Sequence, residues 1–214
     1  FELGCPLVIL ACNTASAKAL RTIQQTNLPS IDPSRRVLGV IRPTVECIGD
    51  LTQSRHIGLL ATTGTIKSES YLLEIQKLFP DISVAGEACP MWVPLVENNE
   101  YHSKGADYFV QKHIQQLLDK DNQIDTIILG CTHYPLLIEK IKEFTPSHIR
   151  IVAQGEYVAQ SLQDYFKRHP EMDNRCTKEG TCRFLTTESE TKFEESASIF
   201  LQQEDIHVER IILE

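Results

Sequence analysis

Apolar and polar positions follow two alternating patterns along the chain. Short runs of Val, Ile, Leu and Ala are typical of strands buried in a parallel sheet, and apolar residues three or four positions apart are typical of helices. The short runs predict strands at Leu7–Ala11, Arg36–Ile41, His56–Ala61, Ser83–Ala88, Thr126–Gly130, Arg150–Val152, Cys182–Thr186 and His207–Leu213.

The stretches between these runs carry the helical spacing. They predict helices at Ala15–Gln25, Pro43–Leu51, Thr65–Leu78, Ala106–Leu118, Leu136–Phe144, Tyr157–Arg168 and Lys192–Gln202. Strands that alternate with helices in this way predict an α/β fold with mostly parallel sheets. Two polar, turn-rich segments, 98–105 and 170–180, are expected to be surface loops.

Composition narrows the possible partners. The chain has 214 residues, 42% of them hydrophobic and 23% charged, which is ordinary for a globular protein. Its 29 acidic and 21 basic residues give a net charge of −8, and no segment concentrates Lys and Arg, which argues against a nucleic-acid partner. No run approaches the roughly 18 consecutive apolar residues of a membrane span, so we expect no membrane partner.

The number of cysteines indicates the redox state of the compartment in which the protein is found. Seven cysteines are an odd number, and a chain of this length can hold a core without disulfides, which favours a reducing, cytoplasmic location. The apolar run near the start is short and is preceded by Glu2, where a secretory signal would carry a basic residue. Cys5, Cys47 and Cys89 are expected to be buried as small apolar side chains.

Two segments far apart in the chain resemble each other. Residues 8–14 and 127–133 each read as an apolar strand, a small residue, a cysteine and two polar residues that open a helix. This internal similarity predicts two α/β domains of similar build with the active site in the cleft between them. Because ligands bind at the carboxyl ends of parallel strands, we expect Cys12 and Cys131 to lie on opposite sides of that cleft.

The position of the two cysteines suggests acid and base chemistry. At a strand-to-helix junction, unpaired N–H groups and the helix dipole are expected to lower the thiol pKa. The same junctions can hold a small carboxylate, with side-chain donors from Asn13, Thr14, Thr132 and His133. Two thiols on opposite faces of a carbon can remove a proton from one face and return one to the other, which is racemisation without a cofactor.

The sequence also allows a different reaction at these cysteines. A single cysteine with a nearby histidine could act as a nucleophile in acyl transfer, but that reaction does not require a second, symmetrically placed cysteine.

Four motifs in register, together with Phe184–Thr187, carry a family resemblance over most of the chain. They are Ala11-Cys-Asn-Thr-Ala15, Gly58-Leu-Leu-Ala-Thr-Thr-Gly-Thr65, Ala88-Cys-Pro90 with Val93-Pro-Leu-Val-Glu97, and Leu129-Gly-Cys-Thr-His-Tyr-Pro-Leu136. Together they resemble the cofactor-independent glutamate racemases.

The resemblance implies a role for each matching position. Cys12 and Cys131 would be the two acid/base thiols, and His133 and Glu97 would assist Cys131. Substrate-binding positions would be Asn13, Thr14, Thr132 and His133, with Thr62, Thr63 and Thr65 approaching the substrate carboxylates. The substrate would be glutamate, with D-glutamate supplying bacterial peptidoglycan and with no metal, pyridoxal or nucleotide cofactor. We also expect a homodimer.

The chain departs from the family pattern at its start. The Asp-Ser and Tyr-Gly motifs that precede the first cysteine motif in glutamate racemases have no match here, so we expect upstream residues to be missing and these 214 residues alone to be inactive. Related aspartate racemases commonly carry Glu where this chain has His133, which favours glutamate. The alternatives are a racemase of another acidic amino acid such as aspartate, or a non-catalytic amino-acid-binding or thiol-redox module.

The first of the two expected domains is discontinuous in sequence. Residues 1–42 with 154–214 would form the first and 43–153 the second, with hinges near Pro43 and at Gln154-Gly155.

Gly64 lies in no nucleotide-binding glycine motif.

Other conspicuous residues have ordinary explanations. Cys176 and Cys182 are spaced too widely for a metal-binding pair. Trp92 is expected in the core, and His102, His113, His148, His169 and His207 are expected at the surface.

Overall fold

The computed structural model describes residues 1–178, 180–204 and 206–212. Its strands are β1 Leu7–Leu10, β2 Arg36–Gly39, β3 His56–Ala61, β4 Ser83–Ala88, β5 Thr126–Gly130, β6 Arg150–Val152, β7 Phe184–Thr186 and β8 Val208–Arg210. Its α-helices are α1 Asn13–Thr22, α2 Leu28–Ile31, α3 Ile41–Leu51, α4 Thr63–Lys67, α5 Ser70–Leu78, α6 Trp92–Glu97, α7 Lys104–Lys120, α8 Ile138–Phe144, α9 Gly155–Arg168, α10 Pro170–Asp173 and α11 Glu190–Leu201.

The backbone divides into two compact units, Phe1–Cys176 and Thr177–Glu214. In the first unit, a parallel sheet has the strand order β4-β3-β5-β6, and β1 and β2 form a separate parallel pair. Every residue of β5 is buried because its apolar side chains meet helices on both faces of the sheet. Neighbouring residues Leu59 and Leu60 point to opposite faces, Leu59 toward Tyr71 and Leu60 toward Trp92 and Tyr134.

The second unit is built on the parallel pair β7 and β8. Ala197, Ile206 and Val208 form its core, and Phe184 packs against them. The Ser189 side chain caps α11 by accepting a hydrogen bond from the backbone N–H of Lys192 at 3.4 Å.

The predicted α/β class with parallel sheets is confirmed, and each predicted strand has a counterpart in the structure. The end of the last predicted strand, at residue 213, lies outside the described residues. Within the described ranges, no helix is both long and apolar enough to cross a membrane.

The helix expected over 65–78 is in fact two helices, α4 and α5. The Ser68 hydroxyl donates to the carbonyl of Thr65 at 2.6 Å, and Glu69 takes a left-handed φ of 53°. This left-handed residue separates α4 from α5. The pattern also missed α6, and α10 begins the segment that was expected to be a loop.

Surface and burial predictions fail at three residues. Cys5 is exposed and Cys47 is half-buried, whereas Cys89 is buried as predicted. His113, expected at the surface, is buried on the inner face of α7, where its Nδ1 lies 2.8 Å from the Glu87 carboxylate. Lys120 Nζ donates to the same carboxylate at 2.6 Å. Burial alone would raise the pKa of Glu87, but Lys120 and His113 lower it below its usual value.

We expect Asp125→Asn to lower the free energy of unfolding at pH 7 by about 1 to 2 kcal/mol. Partial burial alone would raise the pKa of Asp125, but hydrogen bonds from the backbone of Gln53 and Ser54 and the hydroxyls of Thr52 and Thr126 lower it from 3.8 to about 2. A lowered pKa stabilises the fold above the unfolded-state value, so this contribution is lost as the pH falls from about 4 toward 2.

Urea unfolding at neutral and acid pH measures this effect. Asp119→Asn is the control, because exposed Asp119 accepts its described hydrogen bond from Gln115 on the surface of α7. A stability difference between Asp125→Asn and the parent that does not change with pH would contradict the prediction.

Candidate active site

The predicted site residues lie at the carboxyl ends of parallel strands. Cys131 directly follows β5, Thr62 directly follows β3, and Cys12 follows β1 after a single residue. Cys12 has extended backbone angles and is the N-cap residue of α1, where it is exposed. The strand-to-helix junction predicted at Cys12 is therefore present.

The surroundings of Cys131 differ from the prediction. Cys131 is buried, and it leads into a turn and a 3-10 helix at Tyr134–Leu137 rather than directly into an α-helix. Burial raises the pKa of the Cys131 thiol. The backbone N–H groups of His133 and Tyr134 donate to the sulfur and oppose that rise without cancelling it. The expectation of a lowered pKa is therefore wrong at Cys131, because desolvation outweighs the local N–H donors.

Hydrogen bonds and strand pairing bring the two cysteine segments to the same edge. Thr14, two residues after Cys12, is hydrogen-bonded to Thr62 and Thr65 at the end of β3, and β3 pairs with β5, which ends directly before Cys131. A negative charge on Cys12 raises the pKa of Cys131 further, after the larger effect of burial. Burial raises the pKa of the Tyr71 hydroxyl, and a negative charge on Cys131 raises it further. The same hydroxyl donates to Asn13 Oδ1, next to Cys12, at 2.7 Å. The structure therefore brings together two cysteines that are far apart in sequence.

The ring of a histidine lies between the Cys131 sulfur and the carboxylate of a glutamate. The Cys131 sulfur lies 3.8 Å from His133 Nδ1, and His133 Nε2 lies 2.5 Å from Glu97 Oε1. Glu97 is the last residue of α6, a helix that the sequence pattern missed, and Trp92 at its start is fully buried against Tyr134. The core position predicted for Trp92 is confirmed. The carboxylate accepts the Nε2 hydrogen, so the Nδ1 lone pair of a neutral His133 faces the sulfur.

Three threonine hydroxyls form a cluster at the start of α1 and α4. Thr14 Oγ1 lies 2.9 Å from Thr62 Oγ1 and 3.1 Å from Thr65 Oγ1, and the latter two are 3.1 Å apart. A Cβ at Gly64 would stand 3.0 Å from the Thr14 methyl group, so the glycine permits this close approach. Thr63 and Thr132, also predicted to bind substrate, are exposed beside the cluster and the Cys131 turn respectively.

Asn13 occupies a position that its motif did not reveal. Its side chain is 2% exposed, with Nδ2 donating to Gln154 Oε1 at 2.6 Å and Oδ1 accepting from Tyr71. No local pattern could identify Tyr71 and Gln154 as its partners, because 58 and 141 residues separate them from Asn13. Gln154, which the sequence predicts to be a hinge residue, is therefore also part of the site.

The first unit also contains a groove of about 830 Å³. Residues from β1, α1, α3, α5 and α9 line it, among them Ile9, Arg21, Arg42, Leu73 and Tyr165, and none of the predicted site residues is part of its wall.

Among the residues that the structure describes, no three His, Cys, Asp or Glu side chains are grouped as a metal ion would require. Cys176 is half-buried and Cys182 is exposed.

Comparison with known proteins gives a consistent result. Residues 2–184 match the family described as Asp/Glu/Hydantoin racemase. A glutamate racemase of Levilactobacillus brevis is 35% identical over 210 residues, covering 98% of this chain and 73% of that protein.

Solved structures agree at the level of the fold. A glutamate racemase isoform from Bacillus anthracis superposes with a TM-score of 0.85 at 32% identity, over 97% of this chain and 74% of that one. The Francisella tularensis glutamate racemase in complex with D-glutamate gives 0.81 at 28% identity, over 97% and 73%. With its family match, its relatives and its paired strand-end cysteines, this chain belongs to the Asp/Glu/Hydantoin racemase family of isomerases.

Proposed function

We propose that this protein interconverts L- and D-glutamate by proton transfer at the α-carbon, with Cys12 and Cys131 as the two acid/base groups. The observation that carries the proposal is the hydrogen bonding of Thr14 with Thr62 and Thr65, which holds the start of α1 and exposed Cys12 at the carboxyl end of β3. The neighbouring strand β5, in a different sheet from β1, ends directly before buried Cys131. The relatives named above as glutamate racemases supply the substrate class.

Each turnover exchanges the protonation states of the two sulfurs. The raised pKa of Cys131 keeps it a thiol at neutral pH, ready to donate a proton. A Cys12 thiolate takes the α-proton from one face of the substrate, the electron pair stays on the α-carbon as a carbanion, and the Cys131 S–H delivers its proton to the opposite face. Cys12 is then the thiol and Cys131 the thiolate, which is the state required for the reverse reaction.

His133 and Glu97 suit the thiolate form of Cys131. When the Cys131 proton moves to Nδ1, His133 carries a proton on both ring nitrogens and donates from Nδ1 toward the thiolate while Glu97 accepts from Nε2. The negative charge of Glu97 stabilises this imidazolium, so His133 can take the proton from Cys131 and return it before Cys131 delivers it to the substrate.

The threonine cluster provides the anion-binding part of the proposal. Thr14, Thr62 and Thr65 present hydroxyls at the starts of α1 and α4, where a substrate carboxylate can accept hydrogen bonds from them. Exposed Thr63 and Thr132 would add donors from either side. Asn13 would use the amide hydrogen that does not bond to Gln154.

We also propose the domain division 1–42 with 154–214 and 43–153. All four strands of the larger sheet, β3 to β6, lie between residues 56 and 152, and β1 and β2 precede them. Substrate would close the cleft by a hinge motion near Pro43 and Gln154.

Proton NMR in D₂O tests the activity. We expect the full-length protein to exchange the α-proton of L-glutamate and of D-glutamate while optical rotation falls, and to leave aspartate unchanged. Cys182→Ser is the control, since that exposed thiol takes no part in the mechanism, and it should retain the parental rate.

Two other results of this experiment would indicate a different function. Exchange with aspartate would indicate a racemase of broader or different acidic specificity. Tight glutamate binding without α-proton exchange would contradict the racemase and support the binding module.

The proposed place of the reaction is D-glutamate supply for peptidoglycan, carried out by a homodimer. A cell depleted of this protein should then require D-glutamate for growth, and sedimentation should give twice the mass of the chain.

A further inference from the structure

We propose that Gln154 is a positioning residue for this reaction and that it acts on Cys12 through a closed ring of hydrogen bonds. The ring contains Asn13, Gln154 and Tyr71. This inference rests on the proposed racemase function.

All bonds of the ring run in one direction. Asn13 Nδ2 donates to Gln154 Oε1 at 2.6 Å, Gln154 Nε2 donates to the Tyr71 hydroxyl at 2.5 Å, and that hydroxyl donates to Asn13 Oδ1 at 2.7 Å. All three residues are buried, so each bond is shielded from competition with water.

A backbone carbonyl outside the ring sets this direction. The carbonyl of Val40 can only accept, and it accepts from the Thr44 hydroxyl at 3.1 Å and from Gln154 Nε2 at 3.3 Å. Since the Thr44 proton goes to Val40, the Thr44 oxygen accepts a hydrogen bond from Gln154 Nε2 at 2.8 Å. Of the two Nε2 hydrogens, one points to the Tyr71 hydroxyl and the other is shared between Thr44 and the Val40 carbonyl. The amide nitrogen of Gln154 therefore faces Val40 and Thr44, and its oxygen must face Asn13.

The ring fixes the residue on which the position of Cys12 depends. Cys12 is exposed, and its side chain makes no capping hydrogen bond to α1 in the described structure. Its neighbour Asn13 is the first residue of α1 and is held by Tyr71 in α5 and by Gln154 at the start of α9.

Removing the Gln154 amide would leave a buried N–H of Asn13 without its partner, and Asn13 would move to regain one. Displacement of a reacting group by about 1 Å can cost about 100-fold in rate. Cys12 would shift with Asn13, whereas Cys131, anchored by its own turn, would stay in place.

The test compares Gln154→Met and Tyr71→Phe with the parent, using L- and D-glutamate deuterated at the α-carbon. We expect kcat/KM to fall roughly 10- to 100-fold and equally in both directions, since the two enantiomers have equal free energy. The deuterium isotope effect should rise for the enantiomer that Cys12 deprotonates and fall for the other, because the proton transfer at Cys12 becomes the slower step. The exchange that Cys12→Ser loses identifies that enantiomer.

A purely structural role would give a different result. Thr145→Val, which removes a buried hydroxyl bonded to the Ile141 carbonyl at the end of α8, should leave both isotope effects at parental values. If Gln154→Met folds poorly, Tyr71→Phe still tests the ring, because it removes only one oxygen atom.

The experiment distinguishes failure of the positioning role from failure of the proposed function. An active parent, with isotope effects that stay unchanged or move together in both variants, would overturn the positioning role alone. A full-length parent that exchanges no α-proton would overturn the proposed function and this inference together.

Discussion

Cys12→Ser and Cys131→Ser should each lower racemisation by about 100- to 10,000-fold, the range that a single acid/base group contributes. A serine hydroxyl keeps the shape of the side chain but titrates far above neutral pH, so it can neither take nor give a proton at the required rate. Each variant retains one thiol, and each should still exchange the α-proton of one enantiomer. The enantiomer should differ between the two variants.

Two measurements distinguish these half-reactions. Proton NMR in D₂O follows exchange separately for L- and D-glutamate, and a glutamate analogue with a leaving group on the β-carbon reports elimination, which needs only one base. Cys47→Ser is a matched control because its thiol, half-buried in α3, donates to the Thr44 carbonyl away from the cleft. Equal residual racemase activity in Cys12→Ser and Cys131→Ser would contradict the two-thiol assignment.

Glu97→Gln and His133→Asn should lower kcat by about 10- to 100-fold. Gln can still accept the Nε2 hydrogen of His133, but it lacks the charge that stabilises an imidazolium beside the Cys131 thiolate. The isotope effect should rise for the enantiomer that Cys131 deprotonates, which is opposite to the change expected for Gln154→Met.

A double-mutant cycle tests whether Glu97 acts through His133. The double variant should be little slower than His133→Asn alone, because removing the histidine already removes the group on which the carboxylate acts. Glu100→Gln, the same chemical change at an exposed residue three positions later, should keep the parental rate. Additive losses in the double variant would show that Glu97 and His133 act independently.

The sequence alone determined the secondary-structure framework and the location of the candidate chemistry. Strand periodicity and length are local properties, so the runs that became β3, β4 and β5 could be located closely. The carboxyl ends of parallel strands lie at one edge of a sheet, so the sequence predicts that a cysteine directly after an apolar run lies at a functional edge. The same local reasoning failed at Glu69, where a left-handed residue divided one predicted helix into two.

Only the tertiary structure decided the electrostatics and the support of the site. The pKa of Cys131 is raised because surrounding elements bury it, and the sequence shows only the N–H donors that oppose this effect. The sequence predicts His113 at the surface, but the fold places Glu87 opposite its ring. The partner of Asn13 is 141 residues away at Gln154. Burial and long-range hydrogen bonds depend on pairs that chain folding brings together, and a local pattern contains no information about those pairs.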